Sequence, residues 1–349
     1  MSSVDVAGVH YVDLGRGPNH SGAIHAGFSS TPEQYHFFKR RLLSRSDVEQ
    51  IGSDTRQRLS SQLQQGAGSL CVLSGEDMTN LDEGGVRRLV RFVSSRVESV
   101  RVIAYVRPPR SFMESAFQQR VKGGLSCLNF APLYPGYRRR FLKFEQAIGR
   151  GKIDLVPFHV NQLVNGDVVA DFCSKTGIPS AGIGRLGLNS SLSADAVAML
   201  YTYRKFGAAY GNGPDEIREN KAILRALQSL EGPKLWFQGP LVDEVVARFS
   251  NDQKWVERRM EMPLDEPRSE DRRIIRSERD LLTYGESQMA WLRGWTVAVP
   301  GPSSASPEGV ASSMRMAVPA MVEEFRAARK AERRGPTGAS SAGNECESR

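Results

Sequence analysis

The sequence has 349 residues, of which 40% are apolar and 25% charged, and these values are typical of a globular protein rather than a disordered chain. Its formal net charge of +8 indicates an anionic ligand, such as a nucleotide, an acidic glycan, nucleic acid or a membrane surface, unless it reflects an arginine-rich genome. No apolar run approaches the ~20 residues of a membrane span, and the first residues lack the order of a signal peptide.

The first thirty residues are predicted to form a short extended segment followed by a loop. Val9 to Leu14 reads VHYVDL and favours a strand. Gly15 to Ser30 is rich in Gly, Ser, His and Asn, which is typical of a loop. We therefore expect neither a strong strand before the Gly15-Arg16-Gly17 turn nor a helix after it.

A long helical tract is predicted from Thr31 to Gln64, with a break near Ser44 or Ser53. Thr31 begins a capping-box pattern, and Pro32 stands at the first helical position. Apolar side chains recur along the tract at helical spacing, which predicts one buried face.

Two buried strands are predicted next, separated by an amphipathic helix. The first, Ser69 to Leu73, ends in Ser74-Gly75-Glu76-Asp77, and the second, Val100 to Val106, ends at Arg107. The basic face of the helix between them predicts contact with solvent rather than with nucleic acid. A second helix then follows as far as residue 122. This order of strand, helix, strand and helix predicts a right-handed crossover within a parallel sheet.

The turn after the second strand is predicted to bind an anion. Helix N-termini present free N–H groups and a partial positive charge, which suit a phosphate group. Arg107 would add a planar, permanently charged fork. Ser115 lies further along the same helix, where its hydroxyl could join the same anion. The alternative is an ordinary strand–helix junction with a solvated arginine.

The spacing of Arg107 and Ser115, with seven residues between them, resembles the 3′-phosphate-binding motif of sulfotransferases. These enzymes transfer a sulfuryl group from 3′-phosphoadenosine-5′-phosphosulfate (PAPS) to a hydroxyl or an amine. The stretches Ile153 to Ile178 and Leu188 to Phe206 also resemble bacterial members that modify carbohydrates. The resemblance covers roughly residues 7–260. It implies an α/β fold with a three-layer parallel sheet of the P-loop nucleotide-kinase-like type and a helical C-terminal cap.

The resemblance also implies roles for individual residues. Arg107 and Ser115 would hold the 3′-phosphate of PAPS, which is the expected cofactor. Glu76 would be the general base that takes a proton from the acceptor hydroxyl, although it could instead cap a helix or balance arginines. Glu76 and Arg107 both end parallel strands, where ligands bind in such sheets. Tyr134 and Tyr137 would line the acceptor site, unless they are packing residues.

One part of the family pattern is missing from this sequence. The family carries a Gly/Lys/Thr-rich loop after its first strand, which holds the 5′-phosphosulfate. Neither G-x-x-x-x-G-K-[ST] nor P-K-[ST]-G-T-[ST] occurs here. We therefore expect an active enzyme only if the start codon lies further upstream. The alternatives are a truncated, non-catalytic relative and a basic module that binds acidic polymers.

The predicted domain spans residues 1–300, and residues 301–349 are predicted to be a Pro/Ser-rich linker, a possible isolated helix and a disordered tail. Four widely spaced cysteines without a C-x-x-C pair, and five histidines without ligand spacing, predict neither a disulfide framework nor a metal site. A cytoplasmic location is expected. The expected partner is a small-molecule or carbohydrate acceptor, with no membrane span; the oligomeric state is left open.

Overall fold

The computed structural model describes residues 8–17, 19–179, 191–207, 210–266, 271–295 and 306–334, and these residues are mainly helical. The strands are β1 (Val9–Tyr11), β2 (Leu70–Val72), β3 (Val102–Val106), β4 (Ile153–Pro157), β5 (Lys234–Phe237) and β6 (Arg272–Ile275). The helices of the first half are α1 (Ser21–Phe28), α2 (His36–Arg40), α3 (Arg45–Gln65), α4 (Glu83–Ser94), α5 (Pro109–Lys122), α6 (Tyr137–Ile148) and α7 (Val168–Thr176). Those of the second half are α8 (Ala194–Phe206), α9 (Pro214–Leu227), α10 (Pro240–Arg248), α11 (Ser250–Met260), α12 (Glu278–Glu286), α13 (Met289–Arg293) and α14 (Pro307–Arg334).

The strands of the described ranges form three separate parallel pairs, β1 with β2, β3 with β4, and β5 with β6. The predicted three-layer parallel sheet of the P-loop type is therefore wrong. Strands β1, β2 and β3 lie where the sequence predicts them, but β2 pairs with β1 and β3 pairs with β4. The predicted crossover from β2 to β3 within one sheet is not formed. Strands of only three to five residues offer few ladder hydrogen bonds, so helix packing supplies most of the core.

A buried helix, α8, occupies the centre of the core. All residues from Ala194 to Arg204 are buried, because apolar side chains surround the helix on every side. Helices α5, α12 and α14 pack against it. The ring of Phe117 in α5 meets that of Phe237 in β5 edge to face, with ring centres 5.0 Å apart. This helix lies in the middle of the molecule, where the predicted fold requires a continuous sheet.

The C-terminal helix α14 is part of the same core. It packs against α8, α9 and α12, so it is not the isolated helix that the sequence predicts. The residues that it buries recur at helical spacing on one face: Val310, Ala311, Met314, Ala317, Val318 and Met321. Residues 296–305 and 335–349, which hold most of the predicted linker and the predicted tail, lie outside the described residues. The predicted domain boundary at residue 300 stays a prediction.

The region near the N-terminus contains a strand where the sequence favours one, and a helix after the glycine turn where the sequence predicts a loop. Strand β1 precedes Gly15, and α1 begins at Ser21. Helix α1 is held by its packing on α3, where a Cβ atom at Gly52 would lie 2.4 Å from the carbonyl oxygen of Ala26. The predicted break near Ser44 is confirmed, because Ser44 forms a capping box at the start of α3.

Candidate functional site

The turn before α1 and the segment after β2 lie against each other. The hydroxyl of Ser21 accepts a hydrogen bond from the N–H of Asp77 at 2.8 Å. A Cβ atom at Gly75 would lie 3.3 Å from the backbone nitrogen of Ser21. Burial lowers the pKa of His20, and the nearby backbone of Ser74 acts in the opposite direction. Residues 20–21 and 74–77 therefore lie together at the carboxyl ends of β1 and β2.

The structure brings Glu76 and Arg107 to this surface. Glu76 begins a short 3-10 helix, Glu76–Asn80, directly after β2, and its side chain is exposed. Arg107 follows β3, and its guanidinium lies 4.7 Å from the centre of the Phe158 ring. The surrounding protein lowers the pKa of Arg107, and the negative charge of Glu76 partly offsets this effect. The two side chains are therefore close enough to interact electrostatically.

The charge of Arg107 is not neutralised by the described part of the chain. Its guanidinium forms no hydrogen bond and no ion pair there, although its backbone carbonyl accepts a hydrogen bond. Ser115 lies in the second turn of α5, is partly buried, and has no hydrogen-bond partner for its hydroxyl among the same residues. The joint role of Arg107 and Ser115 in phosphate binding stays a prediction.

The N–H groups at the start of α5 are not free, which corrects the prediction that they are open to a phosphate. The carboxylate of Glu266 accepts the N–H of Arg110 at 2.6 Å and the N–H of Ser111 at 3.1 Å. A carboxylate is stabilised there by the partial positive charge of the helix end. Burial raises the pKa of Glu266, and its hydrogen bonds from Arg110 and Ser111 act in the opposite direction.

Tyr134 and Tyr137 lie inside the core. Tyr134 stacks on Phe249 with ring centres 4.4 Å apart, and its hydroxyl donates to the carbonyl of Phe249 at 3.3 Å. The hydroxyl of Tyr137 donates to the carbonyl of Arg107 at 2.6 Å. Tyr137 thus positions the turn that carries Arg107. The assignment of both tyrosines to an acceptor site stays a prediction, and their rings are 6% and 2% exposed.

The segment after β1 places two glycines with positive φ beside a cavity that two arginines line. Gly15 and Gly17 have φ angles of +73° and +88°, which favour glycine. The carboxylate of Asp13 accepts the N–H of Gly15 at 2.7 Å and so fixes the start of the turn. A cavity of about 250 Å³ beside it is lined by Leu14, Gly15, Arg16, Asp54, Thr55 and Arg58. Two arginines and one carboxylate give this lining a net positive charge.

A cluster of ring side chains, which the sequence does not reveal, holds Asp77. The rings of His25 and Tyr35 stack with centres 4.1 Å apart. The Tyr35 hydroxyl donates to the Asp77 carboxylate at 2.8 Å, and Nε2 of His25 lies 3.0 Å from the carbonyl oxygen of Asp77. Burial lowers the pKa of His25 and raises that of Tyr35. The cluster fixes the backbone next to Glu76, and its contacts join residues too distant in sequence for spacing to predict.

Arg140 is a second cation at this surface. Its guanidinium donates to the hydroxyl of Thr79 at 2.9 Å and to the carbonyl of Pro135 at 2.6 Å. It also lies 5.0 Å from the centre of the Phe112 ring. Burial lowers the pKa of Arg140, and the nearby Asp77 carboxylate raises it. Arg107 and Arg140 thus surround a surface that also carries the exposed carboxylate of Glu76.

No protein-family model matches this chain. Searches of curated proteins and of solved structures also found no significant match. No helix in the described ranges combines the length and the apolar character that crossing a membrane requires. The function is therefore argued from the residues of this chain and from the resemblance of its sequence motifs.

Proposed function

We propose that this protein transfers a sulfuryl group from PAPS to the hydroxyl of a small-molecule or carbohydrate acceptor. The observation that carries the proposal is Arg107, whose guanidinium lacks an internal partner in the described chain and lies within electrostatic range of Glu76. An arginine fork matches the geometry of a phosphate group. Ser115 in the following helix completes the spacing that resembles the 3′-phosphate motif.

In this proposal the two ends of the donor occupy different parts of the surface. Arg107 and Ser115 hold the 3′-phosphate, away from the reacting atoms, so that binding energy positions the donor. The turn with Gly15, Arg16 and Gly17 receives the 5′-phosphosulfate, because its conformation and charge suit an anion. The turn replaces the lysine-containing loop of the resembled family with an arginine.

Glu76 then acts on the acceptor. Its exposed carboxylate takes the proton of the acceptor hydroxyl while the hydroxyl oxygen forms a bond to sulfur. The bond between sulfur and the 5′-phosphate oxygen breaks, and adenosine 3′,5′-bisphosphate leaves. Negative charge spreads over the sulfuryl oxygens during the transfer, as in phosphoryl transfer, so alignment and nearby cations supply the catalysis.

Calorimetric titration with adenosine 3′,5′-bisphosphate tests the donor site. We expect saturable binding by the wild-type chain and a Kd at least about tenfold weaker for Arg107→Ala, because a charge-assisted contact to phosphate is lost. The matched control is Arg101→Ala, since Arg101 stands just before β3 and pairs with Asp154. No binding by the folded wild-type chain, or equal weakening by both variants, would contradict the proposal.

A second candidate function is nucleotide binding without transfer. It is favoured by the absence from the sequence of the lysine-containing loop that holds the 5′-phosphosulfate in the resembled family. The release of adenosine 3′,5′-bisphosphate from PAPS, measured with a panel of hydroxyl acceptors, separates the two functions. If the protein transfers the sulfuryl group, the wild type releases adenosine 3′,5′-bisphosphate and the Glu76→Gln variant releases much less. If it only binds the nucleotide, neither the wild type nor the variant releases this product.

A further inference from the structure

Arg204 is a buried arginine without a carboxylate partner in the described chain. Its side chain belongs to the end of α8, and the residue is 6% exposed. One guanidinium nitrogen, Nη2, donates to the side-chain carbonyl of Asn220, but Nε has no hydrogen-bond partner among the described residues. Buried charges in proteins are nearly always paired, because an isolated charge is costly to remove from water. Arg204 is therefore a buried charge without a counter-ion among the described residues.

Arg204 and a second arginine, Arg40, both lie over the aromatic ring of Tyr210. The guanidinium of Arg204 lies 4.9 Å from the ring centre of Tyr210, and that of Arg40 lies 3.9 Å from it. Arg40 is held in place because it donates to the carbonyls of Gly123 at 2.7 Å and Gly211 at 3.2 Å. Two fixed positive charges thus approach one ring, and their mutual repulsion is not relieved by an ion pair in the described chain.

The surroundings of these arginines hold few acids. Glu219 interacts electrostatically with Arg204, but the two form no ion pair in the described ranges. Positions 208 and 209, next to Tyr210 in the sequence, are both alanine and carry no charge. Burial lowers the pKa of Arg204, and the charge of Arg40 lowers it further. No carboxylate of the described residues therefore forms an ion pair with either guanidinium group.

The backbone around Tyr210 is shaped for this arrangement. Gly124 has a φ angle of +102°, and a Cβ atom there would lie 3.0 Å from Cβ of Tyr210. Gly124 therefore lets Tyr210 approach the end of α5, and Arg40 donates to the carbonyl of the neighbouring Gly123. The positions of Tyr210 and Arg40 are both set by the end of α5.

We propose that Arg204, Arg40 and Tyr210 form a binding site for an oxyanion, namely the carboxylate, sulfate or phosphate group of a small molecule. The guanidinium forks would donate to the anion oxygens, and the tyrosine ring keeps the two forks in place. This site is separate from Arg107 and does not rest on the proposed sulfuryl transfer.

Thermal unfolding in sodium sulfate, compared with sodium chloride of equal ionic strength, tests the site. The full chain carrying both Arg107→Ala and Arg16→Ala is the starting protein, so that sulfate at either end of the proposed donor site does not contribute. We expect a sulfate-dependent rise in Tm, because a ligand that binds only the folded state stabilises it. Adding Arg204→Met is expected to weaken sulfate affinity at least about tenfold. Adding Arg225→Met, a control at an exposed pair with Glu332, leaves the rise unchanged.

A second variant keeps the test decisive if Arg204→Met does not fold. Arg40→Met removes the other guanidinium, which is only partly buried, and must also reduce the sulfate response. Parallel titrations with phosphate and acetate identify whether a tetrahedral or a planar oxyanion binds better. A response to sulfate that equals the response to chloride, or that persists in both arginine variants, would overturn the proposal.

Discussion

Arg107 and Arg110 stand at the same strand-to-helix turn, yet the protein treats their charges in opposite ways. The guanidinium of Arg110 donates to the carbonyl of Phe237 at 2.7 Å and forms an ion pair with Asp243. The guanidinium of Arg107 has no such partner among the described residues. The same residue type therefore supports the fold at one position and remains available to a ligand at the other.

Arg110 belongs to a larger group, here called the paired cluster, in which charges are balanced within the chain. Arg272 pairs with the buried carboxyl of Glu114 at 3.2 Å, and Glu266 caps the helix that begins beside Arg110. The members of the paired cluster are Arg110, Glu114, Asp243, Glu266 and Arg272. Around Tyr210, by contrast, Arg40 and Arg204 approach each other without a described acid partner. The paired arginines thus stabilise the fold, whereas the unpaired arginines belong to the proposed ligand sites.

The largest effect that we expect from this difference is on stability. Arg110→Met should lower the free energy of unfolding by roughly 2 kcal/mol, because it leaves the Phe237 carbonyl without its donor and removes the pair with the partly exposed Asp243. Arg107→Met should change the free energy of unfolding by less than about 1 kcal/mol, because the guanidinium loses only its contact with the Phe158 ring and no hydrogen bond or ion pair of the described residues. Urea unfolding of both variants measures the difference, and equal losses would remove the distinction between the two arginines.

A second effect is expected from pH, through the buried carboxyl of Glu114. Burial raises the pKa of Glu114 to about 8, above its ordinary value of 4.5. Between pH 4.5 and 8, the folded state therefore holds a proton that the unfolded state has released. The stability that Glu114 contributes is complete below pH 4.5 and is lost as the pH rises towards 8. Between pH 6 and 8 the free energy of unfolding should fall by roughly 2 kcal/mol.

Glu114→Gln provides the comparison for this pH dependence. The amide has nearly the shape of the protonated carboxyl and does not titrate, so the variant should lose most of the decrease between pH 6 and 8. Glu266, whose pKa is also raised, keeps a decrease of the same sign in both proteins. Chemical unfolding at both pH values measures the slopes. The same slope in the wild type and the variant would show that Glu114 is ionised in the folded protein.

The smallest effect is expected from the glycine that lets Tyr210 approach α5. Gly124→Ala and Gly149→Ala both place a side chain at positive φ, which costs about 1 kcal/mol each. Only the alanine at 124 also meets Tyr210, so we expect a further loss of roughly 1 kcal/mol there. Thermal unfolding gives both values. Gly124→Ala should also reduce the rise in Tm that sulfate causes at Arg204. If Gly149→Ala reduces this rise and Gly124→Ala does not, the position of Tyr210 does not determine sulfate binding.

The sequence predicts single elements better than their assembly. The apolar, β-branched run before Arg107 identifies β3, and Ser44 marks the start of α3. The pairing of the strands cannot be predicted from such local patterns, because it depends on which segments of the folded chain lie next to each other. The predicted sheet fails for this reason, although its strands exist.

Helix α1 shows how a local signal can mislead. Gly22 and Gly27 favour a loop when the sequence is read alone. In the structure Gly27 faces Thr55 of α3, where a Cβ atom would lie 3.3 Å from the nearest side-chain carbon. Small residues are thus used for close packing of α1 against α3 rather than for a turn.

The residues of the candidate site were predictable only in part. Glu76 and Arg107 could be selected because both follow apolar strands, and the structure places both at one surface. Glu266 and Arg204 could not be selected. Glu266 reaches the start of α5 from a segment far along the chain, and the importance of Arg204 lies in a partner that it lacks, which no sequence pattern records.

The position of α14 over α8 has a consequence for how the chain folds as it is made. Ribosomes synthesise proteins in the direction from the N-terminus to the C-terminus, so α8 emerges before the helix that covers it. Until residues 307–334 have left the ribosome, the face of α8 beneath Met314 and Met321 stays in contact with water. The nascent chain is therefore most prone to aggregation in this interval, and the core closes only when synthesis of α14 is complete.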